Sequence, residues 1–122
     1  MQFSEDQPQA TYLIQSYESG WIQIQNQRLT QPFIVSGQTL ISNWVTNSFE
    51  ELSPEQLTPL FALKPEVILI GCGSSASLPT PAIYRALVEH GIGFELMTTD
   101  AACRTYTILL AEDRTVAAAL FP

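Results

Sequence analysis

The sequence is short of positive charge. Of its 122 residues only five are Lys or Arg, against 12 Asp or Glu, for a formal net charge of −7. Arg28, Lys64, Arg85, Arg104 and Arg114 are scattered and form no cluster. A phosphate backbone is bound through a basic face, so the distribution argues against DNA or RNA as a partner. Histidine is scarcer still, with His90 alone. One histidine and two distant cysteines, Cys72 and Cys103, make no recognisable zinc spacing, and the expectation is no metal and no cofactor. Two cysteines are also too few for a disulfide scaffold. No apolar run approaches the roughly 18 to 20 residues of a membrane span. Met1-Gln2-Phe3-Ser4-Glu5-Asp6 is acidic and lacks an apolar core, unlike a secretory signal or an Arg-rich transit peptide. The simplest reading is a soluble cytoplasmic protein.

What remains is a chain that is 46% hydrophobic and 14% charged, a globular balance opposite to that of disorder. Its length suits one domain with a real core. Residues 1–10 read as a loose lead-in and residues 11–122 as the domain. The organising stretch is Pro65-Glu66-Val67-Ile68-Leu69-Ile70-Gly71-Cys72-Gly73-Ser74-Ser75. A short apolar run closed by a Gly/Ser turn is the pattern of a strand buried on both faces. Ligands of open α/β sheets bind at the carboxyl ends of such strands.

Before that strand, Ile22 and Ile24 alternate with Gln23 and Gln25, the period of a half-buried strand. Thr11–Tyr17, Phe33–Val35 and Leu40–Trp44 are further extended pieces, so the first third reads as an antiparallel meander. Ser53-Pro54-Glu55-Gln56 matches a capping box, with Leu52 and Leu57 at staple positions. Pro59 forces that helix to be short or kinked, ending near Leu63. After the central strand, Thr80 caps and Pro81 opens a helix whose inward stripe is Ile83, Tyr84, Leu87 and Val88. Gly91 stops it, and Ile92–Met97 is the next strand. Thr98-Thr99-Asp100 starts a third helix with Ala102, Tyr106, Leu109 and Leu110 near one face, and Thr115–Phe121 is the last strand. The expected fold is an α/β single domain, an antiparallel β meander packed on a βαβαβ core with parallel central strands.

Three blocks carry a family resemblance: Pro65 to Gly73, Met97-Thr98-Thr99-Asp100-Ala101-Ala102-Cys103-Arg104-Thr105-Tyr106, and Glu112-Asp113-Arg114-Thr115-Val116-Ala117-Ala118-Ala119-Leu120. In order and spacing they resemble the family of mitochondrial complex I assembly factor three and its uncharacterised bacterial and archaeal homologues, over roughly Trp21 to Leu120. The resemblance implies a β-rich layer on an α/β core, and work through protein contacts, as in the eukaryotic members that serve assembly of the respiratory complex. It brings no catalytic mechanism. At Cys72 and Thr107 the family usually carries Thr and Asn.

Gly71-Cys72-Gly73-Ser74-Ser75-Ala76 also fits the relaxed dinucleotide pattern, but that motif needs a helix to begin at the turn. Leu78-Pro79-Thr80-Pro81 delays the helix, and a tight turn explains the glycines better. The Gly/Ser loop and the start of the third helix should share one sheet edge. There the residues Gly71, Gly73, Ser74, Ser75, Thr98, Thr99, Arg104 and Tyr106 form a candidate cleft, in which loop amides, threonine hydroxyls and Arg104 hold a small anion. The plainer reading has the threonines capping a helix, Arg104 paired with Asp100 or Glu112, and Tyr106 in the core. Nucleophilic catalysis lacks a base, since His90 falls at the far end of its helix from the loop. The expected function is a non-enzymatic protein-interaction or assembly module with an unidentified protein partner, and homo-oligomerisation is compatible with it. The alternative is a small-molecule or anion-binding protein, or a cryptic enzyme, using the Gly/Ser loop cleft.

Overall fold

The computed structural model describes residues 10–122. The expected lead-in therefore lies, but for Ala10, outside the described residues. Strands β1 (Ile14–Glu18), β2 (Trp21–Ile24) and β3 (Gln27–Leu29) form a three-stranded antiparallel sheet. Gly20, at a φ of 101°, turns β1 into β2. β4 (Phe33–Ser36) and β5 (Leu40–Ile41) leave this sheet. A 3-10 segment at Pro54–Leu57 runs into the short helix α1 (Thr58–Ala62). Then follow β6 (Val67–Gly71), α2 (Pro81–His90), β7 (Gly93–Met97), α3 (Thr99–Ala111) and β8 (Val116–Leu120). The second sheet has the order β5-β4-β8-β6-β7, with β6 parallel to both neighbours and β4 antiparallel to β8.

The meander and the βαβαβ core are both present, with one redistribution. β4 and β5, read in sequence as part of the meander, extend the core sheet instead. The reason is in the residues: Phe33, Ile34 and Val35 are all buried, so this strand is covered on both faces and belongs inside a layered sheet. Alternation then sorts the core into two halves. Ile34, Ile68, Ile70, Ala117 and Ala119 face α1 and α2, through Leu60, Ile83 and Leu87. Phe33, Val35, Leu69, Ala118 and Leu120 face α3 and the meander, through Ala102, Tyr106, Ile22 and Ile24. The alanines of β8 let both layers close on the middle of the sheet.

Local signals behave as their chemistry dictates. Ser53 N–H donates to Gln56 Oε1 at 2.9 Å, the reciprocal half of a capping box. Thr80 Oγ1 accepts from Ile83 N–H at 3.4 Å, and Gly91 closes α2 in the left-handed region at φ 71°. The inward stripe of α2 is narrower than expected: Ile83 and Leu87 are buried, but Tyr84 and Val88 are 55% and 50% exposed. One residue further along a helix is a rotation of about 100°, which carries both to the flank. His90 stacks on Phe61, ring centroids 3.5 Å apart, and thereby ties the end of α2 to α1.

Candidate functional site

The carboxyl ends of three parallel strands meet at Gly71. A Cβ there would lie 2.9 Å from Leu120 Cδ2, 2.9 Å from Thr99 Cα and 3.0 Å from Thr99 Oγ1, so only glycine lets the start of α3 and the end of β8 approach β6 so closely. A hydrogen-bonded knot fills the junction. Cys72 N–H donates to the Met97 carbonyl at 2.8 Å, Phe121 N–H to the Gly71 carbonyl at 3.0 Å, and Thr99 N–H to the Gly73 carbonyl at 2.9 Å. Thr99 Oγ1 accepts from Gly73 N–H at 2.8 Å and donates to the Phe121 carbonyl at 2.7 Å. Thr99 is the one fully buried polar residue among the described residues, and its hydroxyl has a partner on each side. Gly73, at φ 114°, turns the chain outward from this knot.

Beside the knot opens a cleft of about 450 Å3. Thr46 to Glu50, Cys72 to Ser75, Ser77, Phe121, Pro122, Thr30 and Pro32 line it. Its polar groups are mostly hydroxyls and amides, and Glu50 is the one acidic side chain among them. Glu50 Oε1 accepts from Ser77 Oγ at 3.4 Å, bridging the two halves of the lining. The Cys72 thiol is nearly buried, and that burial, reinforced by Glu50, raises its pKa against the smaller opposing effect of hydrogen bonds at the Ser77 and Met97 backbones. It stays a protonated thiol at neutral pH, the form that does not attack electrophiles.

The sequence-predicted residues divide into groups. Gly71, Gly73 and Thr99 meet in the knot, while Gly73, Ser74 and Ser75 line the cleft. Thr98 is the N-cap residue of α3, yet its hydroxyl turns to the Asp100 carboxylate. Arg104 forms an exposed ion pair with Asp100 at 3.3 Å, one helical turn apart. The Thr98 hydroxyl and then the Arg104 guanidinium hold the Asp100 carboxyl below its usual range. Tyr106 is fully buried on the meander side and donates to the Tyr12 carbonyl at 2.7 Å; burial raises its pKa. Gly71, Thr98, Thr99, Arg104 and Tyr106 are not among the lining residues. The lining from Thr46 to Glu50 escaped sequence reasoning, because this irregular stretch has no hydrophobic period and only a short capping-box pattern, Ser48 to Glu51. Ser48 preceding the Phe49–Glu51 turn was its only signal, through the Ser48 N–H bond to Glu51 Oε1. Among the described residues no group of three or more His, Cys, Asp or Glu could hold a metal ion, and no helix is long and apolar enough to cross a membrane.

A family model described as "Protein of unknown function (DUF498/DUF598)" matches residues 14–121. The chain belongs to this family. Relatives within reach of it include the mouse NADH dehydrogenase [ubiquinone] 1 alpha subcomplex assembly factor 3, 32% identical over 117 residues that make up 94% of this chain and 62% of that protein. The chain thus spans less than two thirds of the mammalian relatives it matches. The 13 kDa major membrane protein of Francisella tularensis is 29% identical and is covered over 95% of both chains. Among solved structures, the NMR structure of a Xanthomonas campestris protein superposes with a TM-score of 0.84 at 34% identity, covering 99% of this chain and 92% of that one. The family resemblance read from the three sequence blocks and the mixed α/β fold are both upheld by these matches.

Proposed function

We propose that the chain is a protein-interaction module of the assembly type, without chemistry of its own, and that a segment of its partner seats in the cleft beside Gly73, Ser74 and Ser75. The observation that carries this reading is the likeness to an assembly factor over 94% of the chain. The geometry supports it. The cleft has a backbone rim hydrogen-bonded at Cys72 and Gly73, a protonated thiol and no histidine, which suits recognition better than bond-breaking. Hydroxyls, amides and Glu50 favour a polar peptide segment carrying a cation. In this reading Gly71, Thr99 and Tyr106 are supports, Gly73, Ser74 and Ser75 are contacts, and Thr98 and Arg104 with Asp100 flank the site. The reading also keeps the cytoplasmic location, which cell fractionation tests.

The experiment is co-purification of the tagged protein from its own cells, comparing wild type with Ser75→Trp, which fills the cleft from an exposed loop, and with Thr107→Glu on the exposed face of α3. A partner recovered in constant ratio with wild type and Thr107→Glu, and lost with Ser75→Trp, is the expected result. The same partner with all three sinks the cleft as the contact. No partner at all shifts the weight to a second reading, a small-molecule or anion site. That one draws on the loop amides beside an open cleft. Thermal melting with inorganic phosphate and with neutral polyols, repeated on Ser75→Trp, tests it.

A further inference from the structure

The two sheets of the described residues end in four strand edges. Exposed edges invite pairing with another chain, and proteins blunt them by shortness, charge or irregularity. β5 is two residues long, β3 is three residues with Arg28 at its centre, and β1 breaks register between Ile14 and Ser16. β7 is the least blunted of the four, its one such device being the charge of Glu95. It pairs with β6 in unbroken register over five residues, has no proline or lysine, and its other side has no strand against it among the described residues.

The direction of its free hydrogen-bonding groups follows from one bond. The Met97 carbonyl accepts from Cys72 N–H, so Met97 points toward β6. Groups alternate along a strand, and the N–H and C=O of Phe94 and Leu96 therefore point outward. Beside this edge lies an apolar strip. Tyr84 packs edge-on against Phe94, centroids 5.9 Å apart at 79°, and Tyr84 and Val88 are half exposed one helical turn apart.

We infer that β7 is the contact edge of a symmetric dimer, pairing antiparallel with β7 of a second copy about a two-fold axis at Phe94. The register is self-complementary, as an isologous contact requires. The two Phe94 residues exchange both hydrogen bonds, and each Leu96 meets Ile92 of the other copy. On the α2 face, Phe94, Tyr84 and Val88 of both copies close one apolar seam, with aromatic rings directly across from each other. On the opposite face the only charged side chain of the strand, Glu95, falls across from Gly93, the only position without a side chain. The two Glu95 carboxylates are then offset diagonally by about 8 Å, close to a Debye length at physiological salt. This inference is independent of the cleft, which lies beyond the carboxyl ends of the strands.

Sedimentation velocity over the micromolar range tests it, with hydrogen exchange read at Phe94 and Leu96. Wild type is expected to shift from 13.5 kDa to twice that mass as concentration rises. Tyr84→Glu, which sets two like charges in the seam, is expected to raise the dimer dissociation constant by about tenfold or more. Val88→Arg repeats the test from the next turn, and Thr107→Glu, away from the edge, should dimerise as wild type does. The Phe94 and Leu96 amides should exchange slowly in the concentrated wild type and quickly in Tyr84→Glu. A monomer at every concentration overturns the inference and leaves the edge to a different chain. A dimer that survives both seam substitutions with those amides still open overturns it as well.

Discussion

Replacing Thr99 by valine keeps the shape of the side chain and removes its hydroxyl. Two backbone groups then lose their partner: the Phe121 carbonyl, bonded at 2.7 Å in a buried position, and Gly73 N–H, bonded at 2.8 Å where water has partial access. A buried group left unsatisfied costs about 1–3 kcal/mol, and the half-exposed amide falls at the low end of that range. The added methyl returns less than about 1 kcal/mol, since it enters a site built for a hydroxyl. The expected loss is about 1–4 kcal/mol. On the entropy scale of a chain this size each kcal/mol is worth about 3–6 °C, so melting should fall by roughly 3 to 24 °C. Thr99→Ser separates the hydroxyl from the packing. It retains both bonds and loses one methyl, for about 1 kcal/mol. Urea denaturation followed by tryptophan fluorescence measures both variants, and Trp44, whose ring lies 5.4 Å from that of Phe121, reports from beside the knot. If Thr99→Val proves as stable as Thr99→Ser, the hydroxyl does not hold the three strand ends together.

Gly71→Ala should destabilise by about 1–3 kcal/mol through overpacking, because the new methyl meets backbone at Thr99 as well as a side chain; a variant melting with wild type would show that α3 shifts freely. Tyr106→Phe removes the bond to the Tyr12 carbonyl and should cost about 1 kcal/mol, with faster hydrogen exchange confined to the segment before β1; exchange unchanged there would mean that packing alone holds it. Glu66 accepts from Thr115 N–H and hydroxyl, and these bonds, helped by Arg114, hold its carboxyl below the ordinary range. A group depressed in the folded state stabilises above its unfolded value, near 4.3, and loses that contribution as pH falls through the lower folded value. Glu66→Gln should therefore flatten the acid limb of a stability–pH curve and leave its slope at neutral pH alone. Burial raises the Cys72 thiol and pushes that of Cys103 up to about 12. Iodoacetamide at neutral pH should label neither in the native protein at the rate of free cysteine and both after denaturation, read by mass spectrometry.

The parts of the fold legible in the sequence are those whose cause is local. Thr80, Pro81 and Gly91 bound α2 because a cap, a helix opener and a left-handed stop act within a few residues of themselves. The run Val67–Gly71 announces a strand covered on both faces for the same reason. The destination of β4 is different in kind. Its partner is β8, most of the chain away, and no local period encodes that pairing. The clue was the burial of three successive apolar residues, which a half-solvated meander could not accommodate. Tyr84 and Val88 show the same limit on α2, where helical spacing defines a face but not how wide a stripe the neighbouring layer covers.

The candidate site follows this division. That the Gly/Ser loop and the start of α3 share an edge is implied by parallel strands alone, and they do. Which of two adjacent threonines turns inward is decided by the rotation of the first helical residue, so Thr99 ties the knot while Thr98 engages Asp100. The consequence for function is physical. Groups that look available in a list, the Thr99 hydroxyl and the Gly73 amide, are consumed in holding the edge together, and Arg104 is held by Asp100. In the proposed reading, what the edge offers a partner is the shape that this bonding holds: a turn at Gly73 with Ser74 and Ser75 exposed beside Glu50. A pre-ordered polar rim lowers the ordering cost of binding. On that reading the glycines and Thr99 act on recognition only through the rim they hold, and Ser75→Trp tests the contact without disturbing its support.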